Sequence, residues 1–173
     1  MLRKYIFTFS VISLLLMLQA VPARAADPCQ PVFDALMKVA ATPSHSYTTQ
    51  TANGGKPAQA ETIYANGQKY IQVRGKWMRI PVTSQDVVAQ EKEKEAKGKS
   101  TCQIVRRESV NGEAATLYLV HREYDEVQED GQMWVSASTG LLLCVEEDLE
   151  NRGNRKKEHQ STRFEYGNIR PPM

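Results

Sequence analysis

Hydrophobic residues recur every three or four positions in one segment near the start of the chain. This spacing is typical of an amphipathic helix with one buried face. The positions concerned are Val32, Phe33, Leu36, Met37 and Ala40. Asp27 and Pro28 suit the start of such a helix, and Thr42-Pro43 predicts its end. The sequence therefore predicts one short first helix.

From Ser44 onward, short runs of β-branched and aromatic residues alternate with turn dipeptides. These dipeptides favour two-residue hairpin turns, because both central residues of such turns take positive φ. They are Asn53-Gly54, Asn66-Gly67, Asn111-Gly112 and Asp130-Gly131. The runs predict strands over residues 47–52, 61–65, 69–73, 76–82, 101–110, 113–124, 132–138, 141–150 and 159–166. An antiparallel meander follows from this spacing.

The segment between the fourth and fifth predicted strands has a different pattern. Thr83-Ser84-Gln85-Asp86 has the form of a capping box, and helix-favouring residues 87–97 follow before Gly98. We predict a second helix that touches the body through residues 87–89 and exposes most of its charged residues, 91–97. Such a lightly attached helix serves either as a movable lid or as a crossover that covers a sheet edge.

The parity of the strands indicates how the sheet is covered. Leu141, Leu143, Val145 and Leu149 share one face of their strand, whereas residues 113–120 are apolar on both faces. Nine strands and two helices are too many for a flat layer. We predict a mainly β (α+β) fold, in which a curled antiparallel sheet forms an incomplete half-barrel with two helices across its open side. Residues 26–173 are expected to form this single domain.

Residues 1–25 have the features of a secretory signal peptide. Arg3 and Lys4 precede an apolar run over residues 6–18, and Ala23-Arg24-Ala25 fits a small-x-small cleavage site. The apolar run is shorter than the roughly 20 residues of a spanning helix. Cys29 follows Ala-Asp-Pro and not a lipobox. We therefore predict a periplasmic protein that is exported, not lipidated, and at most peripheral to a membrane.

The charge of the chain argues against nucleic acid as a partner. The 173 residues carry a formal charge of +2, but the predicted signal peptide contributes Arg3, Lys4 and Arg24. Its removal leaves 19 basic and 20 acidic residues. Binding to phosphate backbones needs a basic surplus, and this chain has none. We expect a monomer of ordinary globular composition, with 41% hydrophobic residues.

Three cysteines in an oxidising compartment allow one disulfide. Cys144 shares a strand face with Glu146 and Asp148 and is expected to point outward. Cys102 lies at the start of a strand, and Cys29 lies in the first turn of the first helix. We favour a bridge between Cys29 and Cys102, while the two other pairings and three reduced thiols remain open.

No pattern in the sequence predicts a catalytic or metal site. His45, His121 and His159 lie on different predicted elements, without HExxH or CxxC spacing. GxSxG is missing, and the Gly54-Gly55 pair lacks the upstream glycine of a P-loop. We therefore expect no enzyme, no cofactor and no metal. The basic residues around 152–157 are expected to form a solvated hairpin tip.

Motifs in the second half of the chain carry a family resemblance. They are the hairpin Glu108–Ala115, the strand and turn Trp134–Leu141, and the ending Phe164–Pro172. Together they resemble the periplasmic lipoprotein carrier (LolA/LolB-like) superfamily, and within it a small secreted branch, over residues 29–172. Leu142 stands where a proline often follows in that family. No motif matches the family's lid-locking arginine, so Arg79 is given no such role.

The resemblance implies an unclosed half-barrel that holds a hydrophobic or acyl-chain ligand, such as a lipid or a lipoprotein, without catalysis. The alternative is an envelope protein-interaction or sensor module whose half-barrel is filled with side chains. Each apolar residue fits core packing as well as ligand contact. The residues predicted to line a ligand cavity are Phe33, Leu36, Met37, Tyr47, Ile63, Ile71, Val73, Trp77, Val87, Val88, Leu143, Phe164 and Tyr166.

Overall fold

The computed structural model describes residues 27–172, so the predicted signal peptide lies outside the described part of the chain. Nine strands and two helices make up this part. They are α1 (Gln30–Ala41), β1 (Ser44–Ala52), β2 (Ala58–Ala65), β3 (Gln68–Val73), β4 (Lys76–Thr83), α2 (Ser84–Lys97), β5 (Lys99–Val110), β6 (Glu113–Tyr124), β7 (Val127–Ser136), β8 (Leu142–Asn151) and β9 (Lys156–Tyr166). Within residues 27–172, no helix has the length and apolarity needed to cross a membrane.

All nine strands belong to one antiparallel sheet with the order β4-β3-β2-β1-β9-β8-β7-β6-β5. The two ends of this order, β4 and β5, do not pair with each other, so the sheet stays open. α2 is the connection between these two edge strands. The chain must therefore pass from one edge of the sheet to the other, and α2 makes this passage across the concave face. The predicted unclosed, mainly β sheet with two helices is confirmed.

Three of the four predicted hairpin turns are present. Asn53, Asn66 and Asn111 have positive φ, and each is followed by a glycine with positive φ. The fourth prediction is wrong, because Gly131 lies inside β7 and pairs with Glu147. A Cβ at Gly131 would lie 2.8 Å from the carbonyl oxygen of Glu146. Glycine is used here for close strand approach, and the turn comes earlier, at Asp125.

The main hydrophobic core lies between α1 and the concave face of β6, β7 and β8. Val32 and Ala35 of α1 are fully buried there. The complete cluster contains Val32, Ala35, Tyr118, Val120, Met133, Val135, Leu142 and Val145. The predicted disulfide between Cys29 and Cys102 is confirmed, with a Cα–Cα distance of 5.0 Å. It fixes the start of α1 to the edge strand β5.

A β-bulge in β8 changes which leucine enters this core. Trp134 pairs with Cys144, but the next residue, Val135, pairs with Leu142. Leu143 is therefore the extra residue of the bulge, and the regular alternation predicted for residues 141–149 is wrong at this point. Leu142, only 1% exposed, packs in the core with Val145. Cys144 is a free thiol and is half-buried, and it lies on the face of β8 opposite to the core residue Val145.

A second, smaller cluster lies on the opposite, convex face of the sheet. Its buried members are Ile63, Ala65 and Tyr70, and Trp77 and Ile169 pack against them. Successive strand residues point to opposite faces, and Thr62 and Tyr64 of the same strand line the concave side. The C-terminal segment around Ile169 thus covers an apolar patch outside the half-barrel.

Candidate functional site

A cavity of about 310 Å³ lies between the two helices and the concave face of the sheet. Its sheet wall on β1, β2 and β9 is built from small hydroxyl residues, which leave space beneath the helices. These residues are Ser44, Ser46, Thr48, Thr62 and Thr162. Thr48 and Thr162 hydrogen bond to each other at 3.0 Å. This pair satisfies two of the five hydroxyls, and the wall as a whole stays polar.

One side of the cavity is apolar. Its residues come from both helices and from β7, β8 and β9: Leu36, Val39, Ala40, Val87, Met133, Leu142, Val145 and Phe164. Phe164 stacks on Tyr166 with a centroid distance of 6.3 Å. The Tyr166 hydroxyl donates to the carbonyl oxygen of Leu142, and burial raises the pKa of Tyr166. The phenol therefore remains a donor and holds β8 and β9 together behind the apolar wall.

The other side of the cavity carries a charged cluster centred on Arg122, which is only 4% exposed. Arg122 Nη2 lies 2.9 Å from Glu91 Oε2 of α2, and Nη1 lies 3.2 Å from Glu129 Oε2 of β7. Lys94 Nζ lies 3.0 Å from Glu91 Oε1. Burial alone would raise the pKa of Glu91, but Lys94 and Arg122 together lower it. The cluster therefore holds Glu91 in its charged form.

Glu129 is as buried as Arg122 and is held from two sides. The Tyr124 hydroxyl donates to Glu129 Oε1, and Lys94 Nζ lies 4.9 Å from the centre of the Tyr124 ring. Burial, followed by the hydrogen bond to Glu129, raises the pKa of Tyr124. Glu129 Oε2 accepts no hydrogen bond from the described residues, even though Arg122 is near enough for an ion pair.

Glu147 is the third carboxylate of this side, and it lies on the cavity wall from β8. Its cross-strand neighbours are Gly131 and Gln160. No residue within 27–172 forms an ion pair or a side-chain hydrogen bond with it. Burial, reinforced by the carboxylate of Glu129, raises the pKa of Glu147 to about 7. Both of its protonation states are therefore populated near neutral pH.

α2 closes the cavity without burying any residue of its own. The predicted capping box is present, with Thr83 and Asp86 bonded reciprocally. The Tyr64 hydroxyl donates to Ser84 Oγ at 2.7 Å and fixes the first turn to β2. Further along, Val87, Glu91 and Lys94 line the cavity. α2 thus rests on the body mainly through polar and charged contacts.

Four of the six charged residues at positions 91–97 of α2 are exposed, as expected, but Glu91 and Lys94 are not. These two side chains turn inward and pair with Arg122 and with each other. The sequence did contain a signal for this, because Val87, Glu91 and Lys94 are spaced by four and three residues and share one helix face. Glu147 was also detectable, since it shares strand parity with Val145 and Leu149.

Three of the residues predicted to line the cavity do so: Leu36, Val87 and Phe164. The other ten do not line it: Phe33, Met37, Tyr47, Ile63, Ile71, Val73, Trp77, Val88, Leu143 and Tyr166. Tyr47, Ile63 and Trp77 lie on the convex face, where Tyr47 and Trp77 contact His45. Ligand contact by any of the thirteen remains a prediction.

No protein-family model matches the sequence, and no curated protein matches it. Several solved structures are similar in fold. Mycobacterium tuberculosis lipoprotein LppX is 8% identical, with 81% of this chain and 95% of that chain aligned at a TM-score of 0.43. MucB in the Pseudomonas aeruginosa MucA/MucB complex is 14% identical, with 82% of this chain and 58% of that chain aligned at a TM-score of 0.43. LolA superfamily protein NE2245 from Nitrosomonas europaea is 10% identical, with 84% of this chain and 96% of that chain aligned at a TM-score of 0.26.

All of these identities are 14% or lower and all of these TM-scores are 0.43 or lower, so they say nothing of what this chain binds. What the cavity can bind has to be inferred from its own residues.

Proposed function

We propose that this protein binds a hydrophobic or acyl-chain ligand, such as a lipid or the lipid portion of a lipoprotein, and catalyses no reaction. The observation that carries the proposal is the cavity beneath α1 and α2, with an apolar wall along one side. Its volume of about 310 Å³ is at the lower end of the roughly 300–1,000 Å³ found for small-molecule sites. A cavity of this size suits one alkyl chain or one small apolar group.

The walls of the cavity support an apolar occupant. Leu36 and Val39 of α1 are only partly buried against the main core, and they turn their remaining surface to the cavity. Covering such surface gains about 25 cal/mol per Å². An alkyl chain along this wall would therefore be held mainly by the hydrophobic effect, with the hydroxyl wall opposite it.

We further propose that the protein acts in the periplasm after removal of residues 1–25. The disulfide between Cys29 and Cys102 supports export, since disulfides persist in oxidising compartments. Cys29 is close to the predicted cleavage site and is used in this bridge. A thiol in a disulfide is not available for lipidation, which supports an unlipidated protein.

The alternative, a protein-interaction or sensor module, was tied to a half-barrel filled by its own side chains. The cavity favours the binding of a small ligand over that alternative. α2 covers the concave face without burying a residue of its own, so its movement would widen the entrance to the cavity.

Binding can be tested by purifying the protein, extracting it with organic solvent and identifying co-purified lipid by mass spectrometry. The delipidated protein is then titrated with dodecanol, a neutral alkyl probe, by calorimetry. We expect saturable binding that Leu36→Trp weakens by filling the cavity. Leu119→Trp is the matched control, because Leu119 is 44% exposed and does not line the cavity. Absence of both co-purified lipid and dodecanol binding would refute the proposal.

A further inference from the structure

The charged side of the cavity is short of positive charge. Three carboxylates, those of Glu91, Glu129 and Glu147, line it together with Arg122 and Lys94. Both Arg122 nitrogens that reach acids are already used, Nη2 by Glu91 and Nη1 by Glu129. Lys94 Nζ lies 3.0 Å from Glu91 and 3.9 Å from Glu129. Arg122 and Lys94 are therefore already paired with Glu91 and Glu129, and neither pairs with Glu147.

Glu147 is the acid that is left over among the described residues. From β7, Glu129 faces it; from β6, Arg122; from α2, Glu91 and Lys94. Its neighbour on β9, Gln160, uses its amide to donate to Thr162. No donor on any of these elements reaches the Glu147 carboxyl. The Glu147 carboxyl is partly buried, and Glu129 Oε2 on the neighbouring strand is fully buried and accepts no hydrogen bond from the described residues. Withdrawing such oxygens from water without a donor is costly, so a ligand that brings N–H donors to these carboxylates would supply the hydrogen bonds that they lack.

Lys69 does not meet this need. It lines the cavity, but it lies on β3, and three strands of the sheet, β2, β1 and β9, separate it from β8. The far ends of the cavity therefore differ in charge, and only the end at β8 is enclosed by the charged cluster.

We propose, on the basis of the hydrophobic-ligand function above, that the ligand is an amphiphile with a basic nitrogen head, which pairs with Glu147 while its apolar part lies on the wall of Leu36, Val145 and Phe164. A protonated amine or guanidinium brings both the missing charge and the missing N–H donors. At the end of the cavity formed by β8, an anionic head would meet three acids and two cations that are already paired, and it would have to break the Arg122 ion pairs to be held there.

The test compares probes with one alkyl chain and different heads: dodecylammonium and dodecanoate, each titrated by calorimetry below its micelle concentration, and dodecanol, titrated below its solubility limit. We expect dodecylammonium to bind at least about tenfold tighter than dodecanol, as a charge-assisted contact in a buried site would give. Dodecanoate should bind more weakly than dodecanol. Equal affinity for all three, or a preference for dodecanoate, would overturn this inference and leave hydrophobic binding intact.

Glu147→Gln should reduce the ratio of dodecylammonium to dodecanol affinity towards one. Glu146→Gln is the matched control, because Glu146 is exposed on the opposite face of β8 and should leave the ratio at its wild-type value. The thermal unfolding of both variants establishes that they are folded. A ratio that survives Glu147→Gln would overturn the proposed contact.

A pH series adds a second readout. The ratio in the wild type should rise between pH 5.5 and pH 8, because the Glu147 carboxyl must lose its proton to pair with the cation. In Glu147→Gln the ratio should be flat over the same interval. If none of the three probes binds at any pH, both this inference and the hydrophobic-ligand function fail together.

Discussion

The two helices that cover the sheet are attached by opposite kinds of contact. α1 buries Val32 and Ala35 completely in the main core, and the disulfide from Cys29 to Cys102 ties its start to β5. α2 buries no residue and is held through Glu91 and Lys94, which pair around Arg122. Both helices nevertheless form the same cavity roof.

This difference separates a fixed part of the roof from a movable one. Apolar burial and a covalent bond have to be lost together for α1 to leave. The contacts of α2 are polar and ionic, and the more exposed of them, such as that of Lys94 with Glu91, are weakened by salt. Segments with few buried apolar contacts open at lower free energy than the whole protein. If the cavity binds a ligand, α2 is the part of the roof that can move aside to widen its entrance.

Replacing Arg122 is expected to have the largest effect on stability. Arg122→Met leaves Glu129, which is 6% exposed, with Lys94 at 3.9 Å as its remaining cation, and Glu91 also loses one of its two cations. Removing one partner of a buried ion pair costs about 3–5 kcal/mol. Urea unfolding of the variant measures this loss. Arg107→Met is the control, because Arg107 is exposed and should change stability by less than about 0.5 kcal/mol. A loss below about 1 kcal/mol for Arg122→Met would show that the cluster is solvated.

Removing the disulfide is expected to be the next largest effect. The bridge joins residues separated by 73 positions, and loss of a native disulfide costs roughly 2–5 kcal/mol. The double variant Cys29→Ser, Cys102→Ser should unfold at correspondingly lower urea concentration. Cys144→Ser is the control for a cysteine outside the bridge. Equal stability of the double variant and the wild type would mean that apolar packing alone fixes α1.

A smaller effect is expected from the titration of Glu147. Its pKa in the folded protein, about 7, lies above the ordinary value near 4.5 that we assign to the unfolded chain. The folded state therefore binds the extra proton, and stability falls as pH rises through this interval. The loss should be on the order of 2 kcal/mol. Denaturant unfolding at pH 5 and pH 8 measures it.

The difference between Glu147→Gln and the wild type isolates this titration from that of other groups. The variant should lose less stability between the two pH values than the wild type does. Glu146→Gln should behave as the wild type. An identical pH dependence in Glu147→Gln would show that Glu147 titrates at its ordinary value.

The fold was predictable to a larger extent than the site. Asparagine-glycine turns at residues 53, 66 and 111, the capping box at Thr83 and the helical spacing of α1 are local signals, and all three kinds were read correctly. The bulge at Leu143 and the use of Gly131 for close strand approach depend on register between strands, which local patterns do not encode. The bulge takes Leu143 out of the predicted alternation, and because Gly131 lies inside β7 the turn comes at Asp125.

The residues that line the cavity were harder to predict than the fold, because the concave and convex faces of this sheet have similar apolar content. Tyr47, Ile63 and Trp77 are aromatic or aliphatic, yet they lie outside the half-barrel, while serines and threonines of β1 and β2 line its inside. The charged cluster could have been anticipated on α2 from the shared face of Val87, Glu91 and Lys94. Its partner, Arg122, gave no such signal, since a single arginine near a strand end is usually solvated.

The smallest effect concerns local opening, and it tests the contrast between the helices directly. Amides of α2 should exchange with deuterium faster than those of α1, because α2 has no buried side chain of its own to lose on opening. Raising the salt concentration should accelerate exchange in α2 and leave α1 nearly unchanged, since only the ionic contacts are screened. Saturation with dodecylammonium should slow exchange in α2, because a ligand that favours the closed state shifts the population towards it.

Hydrogen–deuterium exchange with mass spectrometry resolves the two segments. Equal protection of α1 and α2 at low and high salt would show that the charged contacts hold α2 as firmly as the core holds α1, and the roof would then open as one piece.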